Sequence, residues 1–240
     1  MGEFVDFDAP SGSTCGYLAR PEGRGPHPAV ALAPAIAGVN DYVKNVATAL
    51  ADAGYACLAI DYHARSDGPP DLGDVQKVMA AVAAVDDGVA LSDLQAARDH
   101  LATQDFVDAE RVGVVGFCMG GSYALMAAAR VEGIRAAVGF YGLLRYRQKS
   151  ATKPLSPLDV VDDVRVPYLG HYGETDHLIP LDDVEELRAR LLGRPAEVYT
   201  YPGAGHAFHE SFRPDVYRPV AASAAWERTM TFLGWYLGGK

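Results

Sequence analysis

No stretch of this 240-residue chain approaches the roughly 20 consecutive apolar residues that a membrane-spanning helix needs. Cysteine is scarce: Cys15, Cys57 and Cys118 are odd in number, widely spaced and free of any Cys-x-x-Cys pair. That pattern argues against a disulfide framework and against a thiolate zinc site, and it favours a reducing, cytoplasmic location. Positive charge is in deficit, with 21 Lys and Arg against 31 Asp and Glu and a formal net charge of −10. A surface of that sign repels nucleic acid and anionic membrane, so neither is an expected partner. The opening residues lack a charged segment followed by an apolar one, and Met1-Gly-Glu-Phe-Val-Asp6 reads as a short strand. Internal repeats, low-complexity tracts and long linkers are missing too, which favours one domain over residues 1–240.

What the chain does have is a recurring alternation. Apolar, nearly continuous runs at 29–36, 55–62, 111–117, 135–141, 166–172 and 196–201 read as strands covered on both faces. Between them lie helical segments: Asp41 to Ala53, closed by Gly54; Ser92 to Leu101, with Ser92 as cap; and a segment opened by Pro180 and closed by Gly193. Near the end, Trp226, Met230, Leu233 and Leu237 form a stripe that should pack on the sheet. The expected fold is a doubly wound α/β sheet, mostly parallel and flanked by helices. Two irregular stretches, 64–73 and 143–157, follow strands at the sheet's carboxyl edge, where such folds bind ligands.

One corner carries the chemistry. Gly116-Phe-Cys118-Met-Gly120 has the G-x-S-x-G form of a nucleophile elbow with cysteine in place of serine. A strand-to-helix turn this sharp leaves no room for side chains two residues either side of the nucleophile, and glycine removes them. The sulfur then stands at a helix N-terminus, whose partial positive charge favours thiolate, and the Met119 N–H points toward a developing oxyanion. A dinucleotide loop would need G-x-G-x-x-G, which glycines at 113, 116, 120 and 121 do not supply. Taken alone, the corner also fits a buried structural cysteine.

Its partners decide between those readings. An elbow nucleophile requires an acid and then a histidine later in the chain. Asp176 follows the 166–172 strand, and His206 follows the 196–201 strand in the glycine-rich loop Pro202-Gly-Ala-Gly-His206. Each alone could be a helix cap or a turn residue, but jointly and in this order they mark Cys118 as a nucleophile. His171, His177 and His209 lack familiar ligand spacing, so no metal is expected. His63 follows a strand end and is a candidate pocket residue, whereas His27 and His100 read as surface positions. Cys15 and Cys57 read as inert packing thiols.

At this point the chain resembles the dienelactone hydrolase family of α/β-hydrolases. The resemblance rests on Ala35-Ile-Ala-Gly38-Val-Asn40, Asp61-Tyr-His-Ala-Arg65, Gly116-Phe-Cys-Met-Gly-Gly121, Gly173-Glu-Thr-Asp176-His177, Gly203-Ala-Gly-His206-Ala-Phe208 and the final run Ala224 to Leu233. It implies an α/β-hydrolase fold, a Cys118–His206–Asp176 triad, an oxyanion hole from the Ile36 and Met119 N–H groups, and no cofactor. Two departures bear on substrate. The family glutamate before the isoleucine is replaced by Ala35, which leaves His206 and the helix end to control the thiol. The family arginine four residues after the histidine is replaced by Glu210, so a substrate carboxylate would need Arg65 or Arg213 to reach in. A small neutral or cationic ester or lactone is therefore the expected partner, with Tyr62, Tyr141 and Phe208 as apolar walls. Hydrolysis through a thioester is the leading reading. Acyl transfer, rearrangement or cyclisation at the same site, and a catalytically weak small-molecule binding or sensing protein, are the alternatives. The sequence leaves monomer and dimer equally open.

Overall fold

The computed structural model describes residues 2–66 and 68–238. Its strands are β1 (Gly2–Ala9), β2 (Gly12–Ala19), β3 (His27–Ala33), β4 (Ala56–Ile60), β5 (Val107–Phe117), β6 (Ala137–Phe140), β7 (Tyr168–Gly173) and β8 (Ala196–Tyr201). They form one sheet in the order β1-β2-β4-β3-β5-β6-β7-β8. The β1–β2 and β2–β4 pairs are antiparallel, and every other pair is parallel. Chain order reverses direction across β3 and β5, so the segments leaving them diverge to opposite sides. Ligands of open α/β sheets bind in the crevice so created.

Helices α1 (Asp41–Asp52), α2 (Val75–Ala84), α3 (Asp87–Ala102), α4 (Met119–Arg130), α5 (Leu181–Arg190) and α6 (Pro219–Leu237) cover the sheet. Asn40 starts α1 by accepting the Val43 N–H at 3.0 Å, and Val43, Val46, Ala47, Leu50 and Ala51 form its buried face. The central strands explain the unbroken apolar runs: Ala29 to Ala33 and Ala56 to Ile60 have no exposed surface. Burying one Val, Leu or Ile side chain contributes about 1.5–3 kcal/mol, so these strands anchor the site above them.

Several expected boundaries move. Ser92 does not cap α3; the helix starts five residues earlier, where Asp86 takes the Val89 N–H at 3.0 Å. That earlier start sets Asp87, Ala90, Leu94, Ala97 and Leu101 on one buried face. The α6 stripe is displaced as well. Its buried residues are Ala221, Ala222, Ala225, Thr229, Phe232, Leu233 and Leu237, with Trp226 and Met230 half-buried at the margin. Small residues let α6 approach the sheet, and the bulky Trp226 is turned to the side. Helix α2 and strand β2 are additions that the apolar pattern does not announce. Among the described residues no helix is long and apolar enough to cross a membrane.

Candidate active site

Cys118 sits between the end of β5 and the start of α4 with φ 55° and ψ −117°, a backbone region that a side chain enters at a cost. Its own N–H is fixed to the Phe140 carbonyl at 3.0 Å, and its carbonyl accepts the Gly121 N–H at 2.9 Å. The flanking glycines have a steric reason. A Cβ on Gly116 would lie 1.9 Å from the Gly120 carbonyl oxygen, and one on Gly120 would lie 1.9 Å from the Ala33 oxygen. Only glycine at both positions lets the strand-to-helix corner close against the end of β3.

Three chain segments converge on the sulfur. His206 Nε2 is 3.1 Å from Cys118 Sγ, and His206 Nδ1 is 2.8 Å from Asp176 Oδ2. The Asp176 side chain is wholly buried, and its other oxygen accepts the Leu178 N–H at 2.8 Å. The loops that carry Asp176 and His206 are tied together, because the Thr175 N–H and hydroxyl both donate to the Ala204 carbonyl at 2.9 Å. Burial by itself favours a neutral His206. Attraction to Cys118 and the bond to Asp176 outweigh that, and the imidazole is pushed up to about 10. A positively charged imidazole beside the sulfur is thus the favoured state at neutral pH.

Met119, the first residue of α4, and Ile36, just beyond β3, both line the cavity above Cys118. Neither of their N–H groups has an acceptor among the described residues, as a pair of free oxyanion donors requires. The Ile36 carbonyl is held from behind by His63 Nε2 at 2.7 Å, and the His63 N–H is held by Asp61 at 2.9 Å. His63 therefore braces this loop and lies outside the cavity lining.

That cavity measures about 600 Å³. Of the expected pocket residues, Ala35, Glu210 and Arg213 line it with Cys118 and His206. Arg65 does not: its guanidinium is held by both oxygens of Asp93 at 2.8 and 2.9 Å and by the Gly12 carbonyl, which points it toward the β1–β2 hairpin. Tyr62 packs at a tilt against Tyr123 of α4, with ring centres 5.8 Å apart. Tyr141 and Phe208 are fully buried and pack on each other at 5.3 Å. Tyr141 also meets the His206 ring edge-on at 5.3 Å, so it supports the imidazole. These three aromatics belong to the core beneath the site. The walls are instead Leu72, Val75, Val78, Met79 and Val82, mostly from α2, with Leu143 and Leu178. Their apolar spacing along α2 was the available signal, and it lies beside a Pro- and Gly-rich stretch that masks it.

Besides His206, the charged residues of the lining are Asp74, at the start of α2, and Glu210 and Arg213, on the segment that follows His206. Glu210 is buried, which raises its carboxyl above the ordinary range, while Arg213 at 3.2 Å pulls it back. Arg213 is half-exposed and shares the cavity lining, so a cation does reach the space over Cys118.

Comparison with known proteins agrees with this architecture. The family model described as "Dienelactone hydrolase family" matches residues 15–237. A Bradyrhizobium protein named as a probable 2-oxo-3-(5-oxofuran-2-ylidene)propanoate lactonase is 45% identical over 240 residues, covering 99% of this chain and 96% of its own. A Pseudomonas putida carboxymethylenebutenolidase is 30% identical over 239 residues, covering 97% of this chain and 96% of its own. A crystal structure of a Klebsiella pneumoniae protein, assigned as a dienelactone hydrolase, superposes with a TM-score of 0.90 at 32% identity. It covers 98% of this chain and 100% of that one. The chain belongs to the dienelactone hydrolase family, within the α/β-hydrolase superfamily.

Proposed function

We propose that this protein hydrolyses a small unsaturated lactone bearing a carboxylate, with Cys118 as nucleophile, His206 as proton carrier and Asp176 as its orienting partner. The observation that carries the reading is the unbroken chain from Asp176 through His206 to a sulfur that opens into the cavity, at 2.8 and 3.1 Å. The substrate class follows from two supports. The names of the Bradyrhizobium and Pseudomonas relatives describe unsaturated lactones with an acid group. In this chain Arg213 supplies a cation at the same cavity, where a carboxylate can displace Glu210 from it.

The distances at Cys118, His206 and Asp176 support the following steps. Sγ attacks the lactone carbonyl, and the oxygen that becomes negative is received by the Ile36 and Met119 N–H groups. As the ring C–O bond breaks, His206 Nε2 gives its proton to the leaving oxygen, and the acyl group remains on Cys118 as a thioester. His206 then takes a proton from water, hydroxide adds to the thioester carbonyl, and the thiolate leaves as the free acid forms. Ala35 provides no acid at the sulfur, so proton control rests on His206 and the helix end. A lactone is preferred to an amide because an enolate leaves more readily than an amine.

The test is turnover of carboxylated and neutral butenolides by wild type, Cys118→Ala and His206→Ala, with mass spectrometry of quenched reactions. Loss of at least about 10³-fold in both variants, and an acyl adduct confined to the peptide containing Cys118, is the expected result. Wild-type turnover in Cys118→Ala would refute the assignment.

A further inference from the structure

Beside the cavity over Cys118 lies a second cleft of about 660 Å³ that the lactone chemistry leaves unused. It runs between α1 and α6, and its surfaces are largely aromatic: Tyr42, Tyr217, Trp226 and Phe212, with the His209 ring. The two spaces share Asn40 and Phe212 as lining, so they are neighbours across one partition. Phe212 is 56% exposed and packs on Tyr42 at 5.6 Å, leaving most of its ring to a ligand passing over it. Among the described residues the lining offers no Lys or Arg, and Asp41 is its one carboxylate. His209 is nearly buried and neutral, because burial pushes it down to about 4. Its Nδ1 is taken by the Tyr42 hydroxyl at 2.6 Å, and its ring lies 5.7 Å from Trp226. Such a surface suits a flat, uncharged aromatic group and disfavours a carboxylate.

Direction relative to the reaction comes from the chain itself. His209, Ser211 and Phe212 continue the loop that carries His206, and His206 serves the leaving oxygen in the reading above. The cleft therefore extends the leaving-group side. Resting on Cys118 as nucleophile, we propose that the protein also hydrolyses open-chain esters of arylalkyl alcohols, whose aromatic end lies in the Trp226–Tyr42 cleft while the ester carbonyl sits over Cys118. In that reaction the Sγ–acyl bond forms, the ester C–O bond breaks, and the His206 proton converts the leaving alkoxide to the arylalkyl alcohol. Water then releases the acid and restores the thiol and imidazole.

Ethyl acetate and 4-phenylbutyl acetate give the same acetyl-enzyme, so the ratio of their kcat/KM values isolates the alcohol end. The expected ratio favours the phenylbutyl ester by at least about tenfold, as stacking plus ring burial supplies. Trp226→Ala should lower that ratio about tenfold. Because Trp226 packs on His209, a second variant guards against misfolding: Ser223→Trp adds a ring from an exposed position in the lining and should lower the ratio likewise. Binding is read separately by quenching of Trp226 emission with 4-phenylbutanol, in Cys118→Ala/Trp235→Phe protein. A ratio near one in wild type, or a ratio unmoved by both variants, overturns the proposal while leaving Cys118 chemistry intact. No turnover of either ester and no quenching also overturns it. Quenching without any turnover upholds the cleft as an aryl-alcohol site and refutes the hydrolytic reading instead.

Discussion

Gly120→Ala tests how tightly the elbow is bound to the oxyanion loop. The new Cβ would lie 1.9 Å from the Ala33 oxygen and 2.6 Å from the Pro34 oxygen, where ordinary contact begins at 3.4 Å. The corner and the end of β3 must then separate by 3.4 − 1.9 = 1.5 Å. Neither side yields easily, because both neighbours are backbone and β3 is paired with β5 through Ala33 and Gly116. Overpacking of this kind costs about 1–3 kcal/mol, and backbone on both sides places Gly120→Ala at the upper end, about 3 kcal/mol. The same displacement moves the Ile36 N–H relative to Cys118, and a misplacement near 1 Å lowers turnover about 10²-fold. Urea unfolding followed by circular dichroism reads the first effect; kcat/KM on a butenolide, at a temperature where the variant is folded, reads the second. A variant within about 0.5 kcal/mol and about threefold of wild type would refute the steric account of the elbow.

Gly234→Ala is the matching control: a Cβ there meets nothing within 4 Å, and the position is inside α6, so stability should rise by about 0.5–1 kcal/mol in the same assay. The pH profile follows from the raised His206. Its charged form persists through neutrality, so kcat/KM should fall only as pH rises through about 10. Asp176→Asn removes a support of that charge and should bring the alkaline limb down by about 1–3 pH units, with an unmoved limb counting against the coupling. The stability that charged His206 contributes is present in full below its ordinary 6.5 and is lost as pH rises toward about 10, so alkaline destabilisation should be weaker in Asp176→Asn. Arg213→Gln should raise KM for a carboxylated butenolide about 10–100-fold and spare a neutral one. The Glu210→Gln/Arg213→Gln pair should show the same selectivity, which separates lost substrate contact from an orphaned buried carboxylate.

The parts of the site legible in the sequence were those built by the backbone. Cys118 with its two glycines, and His206 in its glycine-rich loop, each sit in a local pattern with one steric solution, and their separation along the chain is bridged by parallel strands whose apolar runs are unmistakable. Side-chain destinations were less legible. Arg65 stands near a strand end like a pocket residue, yet its long arm finds Asp93 on α3, a partner 28 residues away that no spacing rule indicates. Tyr141 directly follows a strand at the carboxyl edge of the sheet and Phe208 lies two residues after His206, yet both side chains are aimed down into the core. Helix α2 is weakly marked: Ala and Val dominate it, it has no fully buried residue, and its capping Asp74 follows a stretch that reads as loop. Since α2 supplies much of the cavity wall, that wall was the least legible part of the candidate site.

The residues described with a positive φ and a side chain are Cys118, Tyr141 and Ala207. All belong to the proposed site: Cys118 itself, the ring against His206, and the residue after His206. Glycine would relax the backbone at any of them, and the chain forgoes that relief. The durability of this protein and the readiness of its site are consequently held in opposition at three known addresses. A search for heat-tolerant variants that is blind to activity will tend to soften those addresses first, and one that selects for turnover will find its gains in the helices far from them.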